Sequence, residues 1–170
     1  HNSAASTSSA KKYYKYMRPF RWENGSIIQD SLIPAKKSDP SNDGGFPSGH
    51  TNAAYLSALG LAYAFPERYD ELLTRASELG NNRIVCGMHS CLDVIGGRVM
   101  ATAIAASALN DLDNKDIKNS ALQTGKFLMS QQVSGSDYHA DYETTKQKYI
   151  ERLTYGFEQT GDTTKPMRVP

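Results

Sequence analysis

The sequence predicts an all-α protein, and three observations carry that expectation. Apolar residues recur at helical spacing along most of the 170 residues, and no sustained period-two alternation marks a strand. Helix-start and helix-stop residues punctuate those stretches. The small residues Gly96, Gly97, Ala101, Ala103, Ala105 and Ala106 crowd one apolar segment, where they would let neighbouring helices approach closely. The length suits one ordinary domain with its own core.

Taken in order, a first helix is expected over 11–17, stopping at Arg18-Pro19 because proline disfavours a helical residue before it. Residues 20–46 read as loop, rich in turn formers such as Pro34, Asp39, Pro40, Asn42, Asp43, Gly44 and Gly45. A loop of that length is a candidate lid or substrate-facing segment. A second helix starts at Ser48 and runs to residue 65. Pro66-Glu67 opens a third that ends near Leu79-Gly80, and Gly87 bends or breaks the segment after it. A fourth spans 90–109, and two amphipathic stretches, 117–129 and 142–157, follow. Ser134-Gly135-Ser136-Asp137 separates these two and could cap the second, and the tail beyond Gln159 reads as irregular.

Charge is nearly balanced, 19 Lys and Arg against 18 Asp and Glu, so no global field points to nucleic acid or an acidic membrane surface. No stretch reaches the roughly 18 uninterrupted apolar residues of a spanning helix. Residues 53–65 and 99–109 read instead as short buried helices. Cys86 and Cys91 would diverge by about 140° on a continuous helix and read as small hydrophobes rather than a bridge.

The chemistry-bearing residues fall in three stretches. Lys11 and Arg18 are seven apart, almost two helical turns, so on one helix they share a face and could converge on an anion; a solvated basic face is the plain alternative. Pro47-Ser48-Gly49-His50 sits at a helix start, where free N–H groups and the positive dipole end suit a phosphate. Gly49 permits close approach, Ser48 offers a hydroxyl or a cap, and His50 can donate a proton; an ordinary N-cap with an incidental histidine reads equally well. In the third stretch, Asp93 stands four residues after His89. On a helix it could accept from Nδ1–H, leaving Nε2 unprotonated and more basic. Arg83 just upstream could grip two phosphoryl oxygens, although a surface His–Asp pair is the simpler reading. A metal on His50, His89 and Asp93 is disfavoured by the surrounding cations, and Ser48 as nucleophile needs more than a cap position.

In this order, Lys11…Arg18-Pro19, Pro47-Ser48-Gly49-His50 and Arg83…His89…Asp93 resemble the signature of the type 2 phosphatidic acid phosphatase and vanadium haloperoxidase superfamily. The connecting text, including Arg18-Pro19-Phe20 and Arg83-Ile84-Val85-Cys86-Gly87, is most similar to soluble bacterial class A non-specific acid phosphatases. The resemblance covers about 10–110. It implies a helical bundle of that type, with a phosphatase core over 1–110 and a C-terminal helical extension over 111–170.

It also implies an acid phosphatase that hydrolyses phosphate monoesters through a phosphohistidine on His89. Asp93 would orient His89, His50 would act as general acid and base, and Lys11, Arg18, Ser48, Gly49 and Arg83 would hold the phosphoryl oxygens. No metal or organic cofactor is implied; phosphate or vanadate is the expected site ligand, and vanadate is a cofactor only if the chain is a haloperoxidase. The implied partner is a small phosphate monoester, with neither nucleic acid nor a membrane span expected, in a periplasmic or secreted setting.

Two departures stand out. Asn82 replaces the usual serine before Arg83, and only ten residues precede Lys11 where the family has several helices. The site is therefore expected to be incompletely walled, or the chain to be a truncated or processed piece completed by a missing N-terminal segment; a homo-oligomer is a further alternative. A non-catalytic phosphate-binding fragment is the remaining alternative. Outside the match, 138–142 could line a site but read more simply as a helix start.

Overall fold

The computed structural model describes residues 5–22, 27–131, 142–158 and 160–161. Among them every regular element is helical. The six α-helices are α1 (Ser8–Tyr14), α2 (Gly49–Ala64), α3 (Tyr69–Val85), α4 (Cys91–Asn110), α5 (Lys115–Ser130) and α6 (Tyr142–Thr154). Short 3-10 turns at Pro19–Arg21, Asp30–Ala35, Pro40–Asn42, Pro66–Arg68 and Leu112–Asn114 join them. The expected cap at 134–137 and the stretch 138–141 lie outside the described residues.

Helix α2 is the hub, packing on α3, α4 and α5, while α6 lies on α3. Small residues make this possible. A Cβ added at Gly97 of α4 would stand 2.6 Å from the Ser48 carbonyl oxygen, so only glycine lets α4 run against the start of α2. The main core joins Tyr55 and Ala58 of α2, Leu73 and Ala76 of α3 and Ala101 of α4. Arg98 of α4 reaches over to donate to the Leu153 carbonyl at 2.7 Å, and Arg152 donates to Ser77 Oγ, so partly buried polar contacts tie α6 to α4 and α3.

Two boundaries and one composition differ from the sequence reading. Helix α1 stops at Tyr14 because Lys15 takes a left-handed conformation (φ 48°), so Lys11 and Arg18 do not share a helical face. Helix α3 continues through Gly80 to Val85, because a buried Gly80 packs tightly against Thr51 and Val94 rather than ending the helix. Arg83 therefore sits on the last turn of α3. Helix α4 also exceeds its expected apolar reach: at 20 residues, with a window of mean hydropathy 1.4, it is long and apolar enough by composition to cross a membrane. Its alanines and glycines count as apolar even though no uninterrupted run is present, and one face of it packs on α2.

The loop from Phe20 is built down rather than free. Phe20 and Ile28 are buried with Cys86 and Met88 in a second cluster, and Arg21 and Lys36 each lie 5.0 Å from the Phe20 ring centroid. Burying a phenylalanine side chain contributes about 2–3 kcal/mol. Cys86 thus acts as a small hydrophobe, Cys91 is half-buried, and both are free thiols.

Candidate active site

The site forms where the starts of α2 and α4 meet α1 and the loop that follows it. Pro47 is joined to Phe46 by a cis peptide, and Ser48 caps α2. Ser48 N–H donates to the Asp93 carbonyl at 2.8 Å, which locks the two helix starts together. Ser48 Oγ accepts from Thr51 N–H at 3.3 Å and from the Thr51 hydroxyl at 2.9 Å, and the side chain is fully buried. The hydroxyl acts as a cap and is set back from the cavity. Gly49 and His50, the next two residues, line it. At the first turn of a helix their N–H groups have no intrahelical acceptor.

The start of α4 holds the second histidine. Gly87 (φ 76°) turns the chain after α3, and the Met88 and His89 amides both donate back to the Arg83 carbonyl, at 3.1 and 3.0 Å. Ser90 then caps α4 in a capping box, with Asp93 N–H on Ser90 Oγ at 3.2 Å and Ser90 N–H on Asp93 Oδ2 at 2.9 Å. The same Oδ2 lies 3.2 Å from His89 Nδ1. His89 precedes the helix, so this pair meets through the capping turn and not across a helical face. His89 is 2 % exposed and Asp93 0 %.

The cations arrive from α1 and the turn after it. Arg18 Nη1 stands 3.0 Å from His89 Nε2 and 3.0 Å from the Met88 carbonyl, and its Nε donates to Asp43 Oδ1 at 2.8 Å. Lys11 Nζ donates to the Gly44 and Gly45 carbonyls at 2.7 and 3.1 Å. A Cβ at Gly45 would lie 2.9 Å from Asp93 Oδ2, so the Asp43-Gly44-Gly45 turn wedges between Lys11, Arg18 and the His–Asp pair.

Lys11, Arg18, Gly49, His50, Ala53 and His89 line one cavity of about 390 Å³. Both imidazoles predicted from the sequence therefore face a common space, with Asp93 behind His89. Arg83 is half-buried with an unpartnered Nε and borders an adjoining groove that also includes His50. Asp43 was missed. It holds Arg18 and also accepts from Arg21 at 2.7 Å, but a lone aspartate among turn formers carries no sign of a partner 25 residues away.

The electrostatics follow from burial and crowding of positive charge. Burial, and then Arg18, push Lys11 down to about 8. Partial burial and the charges of Arg83, Arg18 and Lys11 hold His50 below its ordinary 6.5. Burial also holds His89 below 6.5, against the opposing effect of its hydrogen bond to Asp93. Both rings are thus harder to protonate than a free imidazole. Among the described residues no three His, Cys, Asp or Glu side chains gather as a metal-ligand set. The arrangement offers an oriented imidazole nitrogen, a second imidazole, and several N–H donors around an anion-sized space.

The sequence pattern of the PAP2 superfamily matches residues 2–116. The chain belongs to that superfamily. Over 92 residues it is 45% identical to a non-specific acid phosphatase of Salmonella typhi, an alignment covering 54% of this chain and 35% of that protein. It is 37% identical over 105 residues to a non-specific acid phosphatase of Providencia stuartii, covering 59% and 39% of the two chains. An acid phosphatase of Zymomonas mobilis is 40% identical over 106 residues, covering 61% and 38%. This PAP2 chain therefore spans little more than a third of the length of the curated relatives it matches. The expected all-α bundle of this family is the fold observed.

Proposed function

We propose that this site hydrolyses phosphate monoesters through a covalent phosphohistidine. His89 Nε2 attacks phosphorus, forming the N–P bond as the P–O bond to the leaving group breaks. His50 gives its proton to the departing oxygen. His50 then takes a proton from water as that water attacks phosphorus, and phosphate leaves with the N–P electrons returned to His89. Lys11, Arg18, Arg83 and the Gly49 N–H hold the non-bridging oxygens as charge develops. Ser48 serves mainly by fixing the start of α2. The periplasmic or secreted location implied by the resemblance goes with this reading, and fractionation of expressing cells tests it.

One observation carries the proposal. Asp93 takes Nδ1 of His89, so Nε2 is left with its lone pair and faces a cavity that His50 shares. The acid phosphatase names of the relatives support the same reaction class.

The test is hydrolysis of a chromogenic aryl phosphate by wild type and His89→Ala, with rapid quenching of a radiolabelled ester into alkali, where a histidine N–P bond survives. Turnover and alkali-stable, acid-labile label in wild type, both lost in His89→Ala, are the expected results. Equal turnover in the two proteins would remove His89 as nucleophile.

A further inference from the structure

We propose that the groove between α2 and α3 is the leaving-group subsite of this centre and accepts an apolar organic group on the phosphate monoester. The inference rests on the phosphomonoesterase reading and adds a substrate class to it. The groove has a volume of about 530 Å³, and Ala54, Ala58, Leu61, Leu72, Ala76 and Leu79 give it an apolar wall. Its polar lining is His50, Asn82 and Arg83 at one end, with Ser57 and Arg75 along its length. His50 and Ala53 line both this groove and the phosphate cavity, so the two spaces adjoin at those residues.

Geometry then fixes what the groove could hold. A general acid must reach the bridging oxygen, so the organic group of the ester begins at the atom beside His50. From that point the apolar groove offers a path along α2 and α3. Leu61 and Leu79 leave 48% and 43% of their surface exposed on its walls, apolar area that a hydrocarbon group would cover. The phosphate cavity itself is lined by Lys11, Arg18 and both imidazoles and, apart from Ala53, offers no such wall. Selectivity for apolar esters would thus come from α2 and α3, the helices that carry His50 and Arg83.

Ethyl, butyl and hexyl phosphate test this cleanly, because their leaving alcohols are nearly equal in basicity and differ only in apolar length. Wild type should show KM falling about 10-fold from ethyl to hexyl, within the range a few methylenes supply in an apolar pocket. In Leu61→Gln/Leu79→Gln that gradient should vanish while ethyl phosphate turnover is unchanged. Both positions are exposed, so the double variant should fold.

A flat series in wild type, or a gradient that survives the double substitution, would overturn the subsite and leave the hydrolase reading standing. No turnover of any ester would overturn the hydrolase reading and the subsite with it. A dimer that the double substitution converts to monomer, seen by sedimentation, would reassign the groove to a subunit contact and also overturn the proposal.

Discussion

Arg18 Nη1 donates toward His89 Nε2 across 3.0 Å, from the side of the ring opposite Asp93. A guanidinium has only donors, so the nitrogen it faces must offer a lone pair. The Nδ1–H tautomer follows, and the nucleophilic nitrogen is kept ready by a cation that an incoming phosphoryl group would displace or share. In nitrogen NMR at neutral pH, His89 should show a protonated Nδ1 and an unprotonated Nε2. Vanadate or phosphate should shift the Nε2 resonance more than Nδ1.

Asp93→Asn should separate orientation from folding. An amide can accept from Ser90 N–H but cannot hold the imidazole in one tautomer or stabilise its cation. We expect kcat to fall about 10⁴-fold, as when the aspartate of a triad is neutralised. The accompanying loss of stability should stay near ~1 kcal/mol, the scale of a weakened cap. Circular dichroism melts beside steady-state kinetics will check both.

Asp43 anchors Arg18 from behind, at a carboxylate that is only 4 % exposed and that also accepts from Arg21. Removing that charge leaves two guanidiniums close together with one neutral acceptor. Asp43→Asn should destabilise the protein by about 3 kcal/mol, the scale for breaking a buried pair. It should also raise the Kd for phosphate more than it lowers kcat, because the cation would be displaced without loss of the nucleophile. Urea unfolding and phosphate titration will measure the two effects.

The motifs and helix starts were legible because their signals are local. Ser48 announces α2 as a cap with His50 just beyond it, and the His89–Asp93 pair was legible from its spacing although His89 lies before α4 and not on it. The Lys11–Arg18 spacing was legible as a pair, but its helical geometry was not. Lys15 leaves the helix, and the two cations are aimed instead by Gly44, Gly45 and Asp43. The loop was legible as a substrate-facing segment, but which of its residues hold the cations was not, since those contacts depend on long-range packing. Gly80 misled for a related reason: a glycine inside a helical pattern marks an end or a close contact, and only the neighbour, here Thr51 and Val94, tells which.

The pH dependence follows from the direction of two shifts. His50 must carry a proton to act as acid, and that form exists below a pKa already held under 6.5. His89 must be unprotonated, and that form persists down to a pKa likewise held under 6.5. Both limbs of the kcat/KM profile should therefore lie further toward acid than two ordinary imidazoles would place them. Bound dianionic phosphate ester offsets the cations, so the alkaline limb of kcat should sit higher than that of kcat/KM. Arg83→Gln removes the largest charge effect on His50 and should move the alkaline limb of kcat/KM upward. An unchanged limb would disconnect Arg83 from His50.

Lys11 adds a separate pH effect on binding. Its ammonium, brought down to about 8, is charged below that value and increasingly neutral above it. Phosphate affinity should weaken as pH rises through about 8 in wild type, beyond the change due to phosphate itself. Lys11→Met should bind more weakly at pH 6 and lose that extra dependence. Calorimetric titration across pH compares the two proteins directly.

Gly87 sets where His89 starts, and its conformation leaves no freedom to substitute it. At φ 76° an added Cβ would run into the Ile27 carbonyl, and the left-handed backbone adds its own cost of about 1 kcal/mol. Gly87→Ala should therefore lose more than about 2 kcal/mol in urea unfolding. The two residues that follow hang their amides on the Arg83 carbonyl, so any shift of the turn is passed to the His89 ring. A displacement near 1 Å at a reacting group can cost about 10²-fold in rate, and kcat for Gly87→Ala should drop by that order. Gly60, inside α2 with nothing within 4 Å of an added Cβ, is the matching control. Gly60→Ala should stabilise the protein by about 0.5–1 kcal/mol, through helix propensity alone, with kcat unchanged. Equal effects at the two glycines would mean that the turn before His89 does not position it.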